Sequence, residues 1–174
     1  MTTAWTLPTL ITQYSEIGAE TFHIDWVDVF DFAGLKSLDQ ESVKTTRDLI
    51  HIARDPKHDI LQKTYFLKLT GFNFTDVTES VNGIEMKLTM NRGGRITDDT
   101  VQLCLRDSLI GKNMASLTLD PIKLYGSNDN IWETSLSIED IQDPTFGITL
   151  RFQSHPRWPH RSSPLIDAVE LRIH

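Results

Sequence analysis

The chain has 174 residues, 39% apolar and 24% charged, enough for one domain with a real core and too ordered in composition for a disordered tail. Its net charge is −7, with five Lys/Arg against ten Asp/Glu in residues 1–60 and twelve against fourteen in residues 61–174. An acidic chain without clustered cations excludes duplex nucleic acid, since phosphate contacts need grouped Lys and Arg.

Residues 1–21 are weakly patterned, with Trp5, Pro8, Ile11 and Tyr14 scattered among Thr, Gln and Ser. This reads as an extended arm, its apolar residues docking on a neighbouring subunit or back on the chain's own domain. The start, MTTAWTLPTLITQYSE, lacks the basic opening and long apolar run of a signal peptide, so synthesis in the cytoplasm is expected. No window approaches the length of a membrane span, and no membrane partner is expected.

Phe22 to Phe32 is rich in β-formers, and its alternation slips at Val27, as at a bulge or strand end. Asp25, Asp28 and Asp31 recur every third residue, but they do not match a calcium loop, and no metal or other cofactor is expected. Residues 35–62 fit neither a helix around Asp39 nor a strand around Leu49 to Ala53 cleanly. His51 and His58 there read as surface residues.

Tyr65 to Met90 sets the grammar of the rest. Ile84, Met86, Leu88 and Met90 share one face of a strand, and Glu85, Lys87 and Thr89 share the other. Tyr65 to Phe74 is apolar on both parities, the pattern of a strand covered on both sides. NRGGR, residues 91–95, predicts a hairpin turn into a strand over Thr100 to Arg106. Cys104, the single cysteine, reads as a small side chain on that sheet, because no His or Lys adjoins it to activate the thiol. A loop follows from Asp107 to Ser116. Strands are predicted at Ile122 to Tyr125 and at Ile131 to Leu136, the latter anchored by Trp132. Ser137 predicts the cap of one helical turn, with Asp140 three residues on. Alternation then marks strands through Phe146 to Phe152 and through Val169 to Ile173, the second with Glu170, Arg172 and His174 on its wet face.

Short strands with frequent turns and almost no helix predict an all-β fold. The specific form expected is an antiparallel β-sandwich, jelly-roll-like, over residues 22–174, with residues 1–21 as its extended N-terminal arm.

The sequence offers little catalytic chemistry. No G-x-S-x-G occurs. Glu85, Asp98, Asp99 and Glu170 could supply carboxylate pairs, but on sheets such residues are ordinarily solvated. The most functional-looking stretch is Ser154 to Pro164, SHPRWPHRSSP, which gathers His155, Arg157, Trp158, His160 and Arg161 between prolines. Aromatic and cationic residues in that mix suit a protein contact or a sugar ring. Trp5, Ile11, Tyr14, His155, Arg157 and Trp158 are therefore the expected interface residues.

Four blocks fall in order along the chain: GFNF at Gly71 to Phe74, VNGIEM at Val81 to Met86, YGSNDNIW at Tyr125 to Trp132, and IEDIQDPTFGI at Ile138 to Ile148. The series resembles a β-sandwich domain that recurs in structural proteins of tailed bacteriophages, cyanophages and marine phages especially. Ser127 and His174 depart from that pattern, which has a second glycine and a final aromatic there. The resemblance covers about two-thirds of the chain. It implies a non-enzymatic virion component (neck, tail, fibre or capsid decoration) that forms a homo-oligomer, docks to other virion proteins and resides in the virion. The runner-up is a carbohydrate-binding module with its glycan at residues 154–164.

Overall fold

A computed structural model of the chain describes residues 2–15, 23–24, 26, 43–44, 49–52, 60–91, 96–154 and 161–174. Asp25, Asp28, Asp31, His58 and the NRGGR turn at residues 92–95 lie outside them, as do His155, Arg157, Trp158 and His160.

The described residues form an all-β, sandwich-like fold with one short helix. In chain order the strands are β1 (Leu10–Tyr14), β2 (His23–Ile24), β3 (Val43–Lys44), β4 (Leu49–Ile52), β5 (Ile60–Leu61), β6 (Lys63–Thr64) and β7 (Phe66–Thr70). There follow β8 (Ile84–Asn91), β9 (Ile96–Leu105), β10 (Ser108–Ile110), β11 (Ile122–Ser127), helix α1 (Ile138–Gln142), β12 (Gly147–Ser154), β13 (Arg161–Ser162) and β14 (Leu165–Ile173). One sheet centres on β12, which pairs with β7 and β6 on one side and β9 on the other, with β1 and β10 beyond. The second runs β11-β8-β14-β3. Among the described residues pairing is antiparallel except between β2 and β6. A small third sheet joins β13, β4 and β5.

The core follows from period-two patterning. Ile84, Met86 and Leu88 of β8 and Val169, Leu171 and Ile173 of β14 turn inward from one sheet. Val101, Leu103, Ile148 and Leu150 meet them from the other. All are buried, each contributing roughly 1.5–3 kcal/mol. The opposite parity pairs its charges across strands: Lys87 stands opposite Glu170 and Glu85 opposite Arg172, both as ion pairs.

Three expected elements are corrected. β8 and β9, expected to pair as a hairpin around residues 91–95, do not pair: they belong to different sheets, and residues 92–95 between them lie outside the described ones. β7 and β8 are separated in the same way. The hairpin is instead β9–β10, inside the stretch expected to be a loop, with Leu105 opposite Ser108. Its two turn residues, Arg106 (φ 48°) and Asp107 (φ 64°), are both left-handed, the signature of a type I′ turn without its usual glycine. Residues 131–136 are a turn and not a strand. Trp132 is left-handed (φ 58°), its N–H donating to the Asn130 side-chain oxygen at 2.7 Å. It is nevertheless fully buried, and its indole N–H donates to the Ile84 carbonyl at 3.0 Å.

The helix is capped as the sequence predicts, Ser137 and Asp140 forming a reciprocal capping box. Its buried Ile141 lies in the same core cluster as Phe72, Phe74 and Phe146.

Candidate interaction surface

Residues 2–15 are docked on the sandwich. The Thr3 N–H donates to the Ile173 carbonyl at 2.9 Å, and Thr6 exchanges backbone hydrogen bonds of 2.8 and 3.0 Å with Leu171. Pro8 is buried, and two residues later the segment becomes β1, the edge of the other sheet. It therefore laces the edges of both sheets together. Trp5 lies over Lys87 (5.0 Å) and Arg172 (4.4 Å), so its π face is occupied by two cations of its own domain. Ile11 is 6% exposed and belongs to this chain's own core, so it is not free as a contact for a neighbour. Tyr14 stacks on Phe66 with ring centroids 4.9 Å apart and keeps an exposed flank. Trp5, Ile11 and Tyr14 are thus drawn into one structural segment. The remaining expected interface residues lie outside the described ones.

The four carboxylates weighed for catalysis are engaged in ion pairs, not solvated. Glu85 meets Arg172 at 2.5 Å and His174 at 2.8 Å, and Glu170 meets Lys87. A bulge between Arg151 and Phe152 offsets β12 against β9 at Asp98 and Asp99. Asp99 binds Lys63 at 2.6 Å and Arg151 at 2.5 Å. Burial alone would raise the Asp99 pKa, but the Lys63 hydrogen bond and the Arg151 charge outweigh it and hold the carboxyl below its ordinary value.

Asp98 lies between the two sheets. It accepts from Lys123 Nζ at 2.8 Å and from the Tyr125 hydroxyl, both on β11 of the opposite sheet. All three side chains are buried. Desolvation first, then the adjacent Asp98 charge, pushes the Tyr125 phenol far above its ordinary range, so it serves as a donor. Cys104 is also buried, and desolvation raises its thiol, which leaves it inert.

This arrangement inverts β11. Its charged and phenolic residues point inward, while Ile122 (60% exposed) and Leu124 (63% exposed) point out. Leu117 and Leu119 on the preceding connection are exposed as well. Between that connection and the strand lies an open groove of about 440 Å³, lined by Met114, Ser116, Thr118 and Asp120 together with β11. An exposed apolar strip on an edge strand is the signature of a contact surface. The sequence signal was present as Ile-Lys-Leu-Tyr, but alternation alone suggests the opposite, a strand with Ile122 and Leu124 inside. Only the buried Asp98 partner reverses it.

Among the described residues no three His, Cys, Asp or Glu side chains gather as a metal site, and no helix is long and apolar enough to cross a membrane. Comparison with protein-family models, curated proteins and solved structures gives no match.

Proposed function

We propose that this chain is a non-enzymatic structural component of a tailed-bacteriophage virion, a jelly-roll-like sandwich that assembles as a homo-oligomer and docks to other virion proteins. The observation that carries the reading is where the four sequence blocks of the resemblance meet. VNGIEM and YGSNDNIW come together at one corner: Trp132 donates to Ile84, and Gly126 (φ 78°) lies so close that a Cβ there would sit 2.0 Å from the Ile84 carbonyl oxygen. GFNF and IEDIQDPTFGI meet elsewhere, with Phe74 edge-on to Phe146 at 6.3 Å and the Gly71 N–H donating to the Pro144 carbonyl at 3.2 Å. The blocks are joints of a scaffold. A resemblance in such blocks is a resemblance of architecture, which suits a building component. The polar clusters support the same reading, since each ties strands together.

Mass spectrometry of purified particles of the source virus tests it, with copy number taken relative to the major capsid protein. Hundreds of copies indicate capsid decoration, and about a dozen indicate neck, tail or fibre, as expected for closed rings and tail-axis assemblies. Absence from particles rejects the proposal.

A further inference from the structure

Asp98 of β9 and Lys123 of β11 are placed to join covalently, and we infer that they close an isopeptide bond, an amide between the Lys123 amine and the Asp98 carboxyl, that locks the two sheets of the sandwich together.

Three observations carry it. The first is how Asp98 comes to face inward. Val101 and Leu103 point into the core, so alternation would send Asp99 in and Asp98 out. The bulge reverses this: Thr100 stands opposite Arg151, Asp98 stands opposite Phe152, and Asp99 is the extra residue. A bulge re-aims a side chain. Here it delivers a carboxylate between the sheets, while Asp99 turns to Lys63 and Arg151. The second is the isolation of the pair. The Lys123 and Asp98 side chains are 3% and 0% exposed. An ammonium offers three donors, and among the described residues Asp98 Oδ1, at 2.8 Å, is the one acceptor that Lys123 Nζ has. A buried ion pair with so few further partners is poorly compensated for the water it lost. That favours passing a proton across to give a neutral amine and a neutral acid. The third is the arrangement around the carboxylate. Lys123 contacts Oδ1, and the Tyr125 hydroxyl donates to Oδ2. Burial first, then the Asp98 charge, keeps that phenol protonated.

The step balances within the pair. One proton passes from Nζ to Oδ1, leaving an amine whose lone pair lies one carbon–oxygen bond from Cγ. The nitrogen attacks Cγ, a C–N bond forms, and the negative charge that develops on Oδ2 is held by the Tyr125 hydroxyl. The Cγ–Oδ1 bond then breaks, and Oδ1 leaves as water with the proton it already holds and a second from nitrogen. Oδ2 remains as the amide carbonyl. Nothing is oxidised or reduced. Holding two groups in contact is equivalent to about 10⁵–10⁸ M in well-oriented intramolecular reactions, and the exclusion of water from the core opposes the reverse reaction. Lys123 and Tyr125 also line the open groove beside β11, which gives the released water a way out. Until the bond closes, the two residues behave as the ion pair of the structure.

The test is the intact mass of the full-length chain under denaturing conditions, followed from purification through prolonged storage, with proteolytic mapping. The expected result is a chain lighter by one water, with one branched peptide joining β9 to β11. Asp98→Ala and Lys123→Met proteins keep the masses of their sequences. Tyr125→Phe, which retains both reacting groups, closes about 10²–10³-fold more slowly. A natural chain that keeps its full sequence mass overturns the bond, as does a lost water that maps to any other site. A Tyr125→Phe chain that closes at the natural rate overturns the role of Tyr125. Because the readout is the chain's own mass, it stands apart from whether the chain is found in virus particles.

Discussion

At the scale of single residues, the buried Asp98–Lys123–Tyr125 cluster ties β9 to β11 across the sandwich. A buried ion pair is weak evidence for net stability, because desolving two charges offsets most of their attraction. Removing one partner is different, since it leaves the other buried and unpaired. Lys123→Met should therefore cost about 3–5 kcal/mol. Asp98→Leu combined with Lys123→Met should recover a large share, measured by urea unfolding of both variants and the natural chain. If the double variant is as unstable as the single one, the pair contributes more than mutual neutralisation. Asp99 makes a pH prediction. Its folded pKa is lowered, so its stabilisation is fully present above the ordinary value of 3.8 and is lost as pH falls through the depressed folded value. The melting temperature should drop as pH is taken from 5 towards 3, and Asp99→Asn should flatten that slope. An unchanged slope would show that other carboxylates dominate the acid limb.

At the scale of elements, the sequence was most legible where apolar residues keep to one parity. β8, β12 and β14 alternate cleanly, and the structure places their apolar parities in the core. The helix cap was legible too, because a capping box is a local interaction between Ser137 and Asp140. Pairing was not legible. A glycine turn signals a reversal but does not say whether the next strand joins the same sheet or the facing one, and the strands before and after β8 both belong to the other sheet. The β9–β10 hairpin was missed for the converse reason: its turn is Arg-Asp, carrying none of the usual Asn or Gly. Tertiary contacts hold it instead. Arg106 reaches Asp143 at 3.0 Å and Asp140 at 3.2 Å, its N–H donates to Thr145 Oγ1 at 3.0 Å, and Lys68 pairs with Asp107. A left-handed non-glycine residue costs about 1–2 kcal/mol, whereas an exposed ion pair such as Lys68–Asp107 contributes about 0–1 kcal/mol. Asp107→Gly should thus stabilise the protein by about 0.5–1 kcal/mol, read as a rise in the denaturation midpoint at unchanged m-value. A loss would mean that the Lys68 pair outweighs the backbone strain.

At the scale of the whole molecule, the N-terminal segment decides how the sandwich closes. Its sequence has no period because it serves two sheets in turn, bonding to β14 through Thr3 and Thr6 and to β7 through Leu10–Tyr14. A segment that changes sheets presents no single face for long enough to show a pattern. Deleting residues 1–15 exposes the edge of β7 and uncovers Arg172 and Lys87. It also removes Ile11 from the core and the Gln13 side-chain oxygen that accepts from the Trp26 N–H at 2.8 Å. The truncated chain should melt well below the full-length protein and aggregate through the bared edges. A synthetic peptide of residues 1–15 should restore much of the lost stability in trans, because the segment's bonds are backbone ladders that need no covalent link. Replacing Ile11 by Asp in that peptide should abolish the rescue, while replacing the exposed Leu10 should not. If the truncated chain instead keeps the full-length melting temperature, the segment is an arm laid on a sandwich already complete without it, and its apolar residues return as candidates for contacts between subunits.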